Sequence, residues 1–224
     1  MGSTNAVLEA RDLYRFFRVG DEETLALQGV SITVSAGETV AVVGPSGSGK
    51  STLLACLAGL DEPAGGSVSV GGTRISHRPE HERARIRSDR VGVVRQSGNL
   101  VAHLTLRENV RLVQQSAAGR SGRRTPEELL AQVGLTGRAG ALPRQLSGGE
   151  LARGGLAVAM ANNPDVILAD EPTGELDGTT EQQILALLRQ LTEAGAGLFI
   201  VTHSRAVTRA ADRVISLADG RIAS

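Results

Sequence analysis

Aromatic side chains are nearly absent from this sequence, which has no Trp, one Tyr and three Phe among 224 residues. Its 41% of apolar residues is therefore almost wholly aliphatic. That is enough for one sizeable core, or at most two small subdomains. Together with a formal net charge of zero it excludes a disordered chain. The single cysteine, Cys56, rules out an intramolecular disulfide. It lies in Leu53-Leu54-Ala55-Cys56-Leu57-Ala58 and reads as a buried, inert thiol. Twenty-four basic residues balance twenty-four acidic ones, so bulk charge gives no reason to expect a nucleic-acid partner. Residues Met1 to Asn5 offer no basic or apolar segment, and no signal peptide is expected. No apolar stretch approaches the roughly 20 residues that span a bilayer. The expectation is a cytoplasmic chain that reaches a membrane only through a partner. Lysine is the scarcest charged residue: Lys50 stands alone beside twenty-three arginines. Coding bias accounts for the arginines. The exception points to a position where a planar guanidinium cannot replace a compact ammonium.

Against these absences, the chain is rich in short apolar runs. Val7–Leu13, Gly29–Val34, Thr39–Val43, Ser67–Val70, Val91–Val94, Val166–Ala169, Leu198–Val201 and Val214–Leu217 read as strands. A helix is expected from Lys50 to about Gly59, and Ile184, Leu188 and Leu191 mark the stripe of another. Between about 97 and 145 the strand signal fades. Two helical segments, Leu106–Gln115 and Pro126–Val133, flank a loop at Ala118–Arg124 and read as a helical insert. Alternating strands and helices argue for an α/β fold with a mostly parallel sheet. The Arg-rich run from Arg74 to Arg95 is interleaved with Glu80, Glu82 and Asp89 and reads as a solvated helix face.

The apolar run Val40–Val43 leads into Gly44-Pro45-Ser46-Gly47-Ser48-Gly49-Lys50-Ser51, followed by Thr52 and the expected helix. This is the full G-x-x-x-x-G-K-[ST] phosphate loop in its strand–loop–helix context. Its glycines let successive N–H groups turn toward phosphate oxygens at the positive end of the helix. Lys50 is expected to reach the β- and γ-phosphates, and Ser51 to offer its hydroxyl to Mg²⁺. A nucleoside triphosphate is the implied ligand, with kinase, GTPase and transport ATPase all open at this point. Further on, Asp165-Val166-Ile167-Leu168-Ala169-Asp170-Glu171 is an apolar strand ending in two carboxylates. Asp170 is expected beside the loop as a Mg²⁺ ligand. Strand alternation would turn Glu171 to another side, where it can orient or deprotonate the attacking water.

Further motifs carry a family resemblance. Leu146-Ser147-Gly148-Gly149-Glu150, between the phosphate loop and the acidic strand, resembles the signature of ATP-binding-cassette (ABC) ATPases. Gln96 looks like that family's Q-loop glutamine, Gly174–Asp177 like its D-loop, and His203 like its switch histidine. Phe17 aligns, better than Tyr14, with its adenine-stacking aromatic. The resemblance runs from about Val7 to Ile222. It implies a P-loop NTPase with a RecA-like core, an antiparallel β subdomain and a helical subdomain, in one domain over residues 1–224. It also implies ATP and Mg²⁺ as cofactors, with Gln96 touching the metal and His203 the γ-phosphate. Ser147, Gly148 and Gly149 would serve the ATP of a second copy in a head-to-tail dimer. Glu171-Pro172-Thr173-Gly174, Gly59-Leu60-Asp61, Leu104-Thr105 with Glu108-Asn109-Val110, and Asp219-Gly220-Arg221-Ile222 are similar to the lipoprotein-release, macrolide-export and cell-division branch. In that branch the cassette docks, through its helical insert, on a separate membrane permease. The competing expectation is an ATP-gated scaffold that moves no cargo. A chromosome or DNA-repair ATPase lacks support, since neither a coiled-coil insertion nor zinc-binding cysteines interrupt the sequence. After the signature the pattern departs: Ala152 and Val158 replace the usual residues, and Gly154-Gly155 interrupts a helix at roughly 1 kcal/mol per glycine. The expectation is a loosened signature helix and slow turnover, with Glu175 adding a carboxylate near the dimer contact.

Overall fold

The computed structural model describes residues 5–19, 22–117, 123–174 and 176–223. The expectations for Glu175 and for most of the 118–124 loop lie outside the described residues. In chain order the elements are β1 (Ala6–Val19), β2 (Glu22–Ser35), β3 (Thr39–Val43), α1 (Lys50–Leu57), β4 (Gly65–Val70), β5 (Thr73–Arg74), α2 (Glu80–Arg90) and β6 (Val91–Val94). There follow α3 (Leu106–Ser116), α4 (Pro126–Gln132), α5 (Gly148–Ala159), β7 (Val166–Asp170), α6 (Gly178–Glu193), β8 (Gly197–Val201), α7 (Arg205–Ala210), β9 (Arg213–Ala218) and β10 (Arg221–Ala223).

One sheet is antiparallel, in the order β2-β1-β4-β5. The other runs β10-β9-β3-β8-β7-β6, parallel except for β10. Along its central strands, alternate side chains feed two separate cores, as the two-residue period of a strand demands. Leu168, Phe199 and Val201 join Val40, Leu53 and Leu57 beneath the antiparallel sheet. Ile167, Ala169, Leu198 and Ile200 face α5 and α6, with Leu106, Val110, Leu129 and Leu130 of the helical insert in the same cluster. Phe199 is the one aromatic in the core; Tyr14, Phe16 and Phe17 are each 40% or more exposed.

One expectation changes at the antiparallel sheet. The first two strands are much longer than Val7–Leu13 and Gly29–Val34, because the added residues pair with each other from Tyr14↔Gln28 to Val19↔Glu22, where Leu27 is the one fully buried side chain among those described. The Arg-rich run contains α2, which buries no residue and holds itself by ion pairs such as Arg83–Glu80, Arg83–Glu62 and Arg87–Glu80. It is the solvated face expected.

The signature helix is also different from expectation. α5 is continuous from Gly148 to Ala159, and its two glycines are filled from outside. A Cβ at Gly155 would lie 2.9 Å from Asn99 Cβ, and one at Gly154 would lie 2.8 Å from Leu106 Cδ2. Asn99 is itself fixed: its Oδ1 accepts the Arg95 N–H at 2.7 Å and its Nδ2 donates to the Arg95 carbonyl at 2.6 Å. The missing side chains thus admit the segment after Gln96, which corrects the expectation of a loosened helix. Gly155→Ala is expected to lower unfolding free energy, since overpacking costs about 1–3 kcal/mol against a gain of about 1 kcal/mol in helix propensity. Gly154→Ala meets only a flexible leucine end and should be close to neutral. Denaturant midpoints of the two variants check the difference.

Candidate nucleotide site

Register brings the motifs together. Val42 pairs with Val201 and Val201 with Asp170, so β3, β8 and β7 end side by side. Val94 pairs with Ala169, which adds β6. The phosphate loop follows β3, His203 follows β8, Asp170 closes β7 and Gln96 follows β6. All four leave the carboxyl ends of neighbouring parallel strands, where α/β sheets place ligands. There an open cleft of about 910 Å³ is lined by Lys50, Ser51, Gln96, Asp170, Glu171 and His203. Ser46, Gly47, Gly49 and Thr52 also line it, as does Phe17 from β1, whereas Tyr14 packs against Gly65 and Gly29.

The loop itself is built for an anion. α3, α4, α5, α6 and α7 are capped by the side chains of Thr105, Thr125, Ser147, Asp177 and Ser204, and α2 follows Pro79 without a side-chain cap. α1 has no side-chain cap: Gly49 precedes it with φ 101°, leaving the first-turn N–H groups directed into the loop. A Cβ at Gly49 would stand 2.3 Å from the Ala26 carbonyl oxygen, so only glycine fits. Lys50 is 8% exposed, and its ammonium donates to the carbonyls of Gly44 and Pro45 at 2.8 Å each, with Ser48 Oγ at 3.4 Å. Gly44, Pro45 and Ser48 therefore shape the loop and hold the lysine without lining the cleft themselves. Three acceptors around one nitrogen suit an ammonium, not the flat fork of arginine.

Asp170 and Glu171 diverge by a backbone reversal. Glu171 has φ 45°, a left-handed conformation, so its direction comes from this turn and not from the strand alternation expected. Its N–H donates to the Val201 carbonyl at 2.9 Å. Its Oε2 accepts the Thr202 hydroxyl at 3.3 Å and the His203 N–H at 3.2 Å, and the His203 ring nitrogen Nε2 lies 3.7 Å from Oε1. Burial, then the neighbouring Glu171 charge, raise the Asp170 carboxyl above the usual carboxylate range, partly offset by Lys50 and Arg95.

Ser147, Gly148 and Gly149 do not line this cleft. They open α5 on an outer face, with Ser147 and Gly148 exposed. A capping box closes this end: Glu150 Oε2 accepts the Ser147 N–H at 2.8 Å, and Ser147 Oγ accepts the Glu150 N–H at 3.3 Å. Arg138 pairs with Glu150 at 2.9 Å. That pair, then the Ser147 N–H, pull the Glu150 carboxyl down to about 2. Gly148 and Gly149 stand at the first two positions of α5, where an N–H has no acceptor within its own helix.

Several cleft residues carried no site role in the sequence: Thr24, Leu25 and Ala26 of β2, and, near the acidic pair, Glu181, Ser204 and Thr173, the last read only as part of the branch resemblance. The β2 residues sit on the stretch that pairs with the unforeseen end of β1. The other three are ordinary polar residues whose role comes from cross-element hydrogen bonds.

The sequence profile of ABC transporters matches residues 27–174, from β2 through the acidic pair. This chain belongs to the ABC transporter ATP-binding family. The cassette is 41% identical over 222 residues to the lipoprotein-releasing system ATP-binding protein LolD 1 of Caulobacter vibrioides, covering 97% of this chain and 95% of that protein. It is 44% identical over 222 residues to the macrolide export ATP-binding/permease protein MacB of Rhodopirellula baltica, covering 97% of this chain and 32% of that one. The cassette thus spans about a third of the length of the macrolide-export relatives it matches. A solved dimeric ATP-binding cassette in a post-hydrolysis state, bound to ADP and Pi, matches with a TM-score of 0.88 at 37% identity over 97% of each chain. No helix among the described residues is long and apolar enough to cross a membrane.

Proposed function

We propose that this cassette hydrolyses ATP in a head-to-tail dimer and powers a separate membrane permease of the lipoprotein-release and macrolide-export kind. One observation carries the reading. Lys50, Asp170, Glu171 and His203 share one cleft, while the signature residues Ser147, Gly148 and Gly149 sit outside it at the start of α5, with Ser147 and Gly148 exposed. Each site is then half-built, and a second copy supplies the missing donors. The solved relative bound to ADP and Pi is dimeric, which supports a dimer here.

Phe17 stacks on the adenine, and the α1 N–H groups and Lys50 hold the phosphates. Ser51, Asp170 and Gln96 are oxygen donors of the kind Mg²⁺ takes alongside phosphate oxygens. Burial, then the Glu171 charge, raise the Asp170 carboxyl, and a divalent cation beside it would favour the ionised form. When bound, the metal neutralises charge on the β- and γ-phosphate oxygens. Glu171 takes a proton from a water held between its carboxylate and His203. The water oxygen bonds to the γ-phosphorus as the bond to the β–γ bridging oxygen breaks, giving ADP and inorganic phosphate. His203 donates to the γ-phosphate, and Gly148 and Gly149 of the second copy stabilise its equatorial oxygens.

The test is phosphate release by the purified chain, alone and with a candidate permease reconstituted in vesicles. Slow turnover alone and several-fold stimulation by the permease are expected. Rapid turnover that ignores the permease contradicts the coupling.

A further inference from the structure

Glu181 lies in the first turn of α6 and borders the cleft without belonging to any motif. Its Oε1 accepts two hydrogen bonds, from Ser204 Oγ at 2.6 Å and Thr173 Oγ1 at 3.1 Å. Those hydroxyls belong to the two segments that carry the proposed chemistry. Thr173 follows Glu171 by two residues, and Ser204 follows His203 directly.

Proton accounting fixes the direction of each bond. Ser204 Oγ already accepts the Ala206 and Val207 N–H groups at 3.1 and 3.3 Å, so its single proton goes to Glu181. The Ser204 N–H donates to Thr202 Oγ1 at 2.9 Å, and the Thr202 proton goes to Glu171 Oε2 at 3.3 Å. The bonds close a ring: Glu171 to Thr202 to Ser204 to Glu181 to Thr173 and back along the chain to Glu171. Thr202 and Thr173 are 0% and 4% exposed, so water does not compete for these bonds.

We propose that Glu181 is a positioning residue that ties the Glu171 segment to the His203 segment. The base and the histidine then move as one unit when nucleotide enters. The inference rests on the roles assigned above to Glu171 and His203. Glu181 acts here as a shared acceptor, neither as acid nor as metal ligand, since one oxygen serves both hydroxyls.

The discriminating pair is Glu181→Gln, which keeps an acceptor oxygen, and Glu181→Ala, which removes it. In steady-state phosphate release by the full chain, Glu181→Ala should lower kcat about tenfold with KM for ATP within about twofold, and Glu181→Gln should stay within about twofold of the parent. Thr173→Val deletes one hydroxyl at nearly constant volume. It should reduce kcat in the same way but less, and it carries the test if Glu181→Ala melts below the assay temperature. Parental kcat in Glu181→Ala, or in Thr173→Val where that variant carries the test, overturns the proposal. So does a Glu181→Gln variant as impaired as the alanine one with KM raised, which makes the carboxylate charge a nucleotide or metal contact. Glu171→Gln separates the two levels: if it hydrolyses ATP at the parental rate, the assignment of the base fails, whereas a dead Glu171→Gln beside an unaffected Glu181→Ala refutes only the tie.

Discussion

Lys50→Ala is expected to abolish nucleotide binding at any practical ATP concentration. The ammonium is buried and satisfied by the Gly44 and Pro45 carbonyls, so the loop is already shaped around a positive charge. Phosphate oxygens entering the cleft meet that charge and the uncapped N–H groups of α1. At about 1.5–3 kcal/mol for each charge-assisted hydrogen bond, losing two raises the Kd about 10²–10⁴-fold. Titration of a fluorescent ATP analogue measures this directly. Lys50→Arg keeps the charge but not the shape. The guanidinium cannot direct donors at two adjacent carbonyls and a phosphate from inside the loop, so binding should fall there too. If Lys50→Ala binds ATP as the parent does, the loop has been misread. If only Lys50→Arg does, the lone lysine among twenty-three arginines is an accident of composition.

Glu171→Gln is expected to leave ATP binding intact and to lower turnover by about 10²–10⁴-fold, the usual contribution of a general base. Glutamine preserves the side-chain shape and an oxygen that accepts from Thr202 Oγ1 and the His203 N–H, so the φ 45° turn need not relax. What is lost is the capacity to receive a proton from water. Single-turnover phosphate release separates this from a binding defect. Turnover within a few-fold of the parent would move the base role elsewhere, with Asp170 as the neighbouring carboxylate.

The chemistry-bearing residues were largely legible because each motif is local. Strand, loop and helix around Lys50, the apolar strand before Asp170 and the strand before His203 are contiguous in the chain, and parallel register does the assembly. What escaped the sequence was non-local or contrary to propensity. The outer halves of β1 and β2 bury little, so no apolar alternation marks them. α2 has no apolar stripe at all. Helix propensity alone condemned Gly154 and Gly155, whereas the fold uses their missing side chains to admit Asn99 and Leu106. Strand alternation suggested the right separation of Asp170 from Glu171 for the wrong reason, since the turn at Glu171 is left-handed. Glu181 is silent in sequence because its partners, Thr173 and Ser204, lie 8 and 23 residues away.

The central claim is that one copy's phosphate loop and another copy's signature share each ATP. Light scattering of Glu171→Gln tests it most directly, because slow hydrolysis lets the ATP-bound form accumulate. With Mg-ATP, the variant should run at twice the 23.3 kDa mass of the chain and return to the monomer without nucleotide. Adding Gly149→Asp, which sets a carboxylate against the partner's γ-phosphate, should leave it monomeric with ATP still bound. A Glu171→Gln chain saturated with ATP yet monomeric, or a dimer indifferent to the signature substitution, would contradict the account.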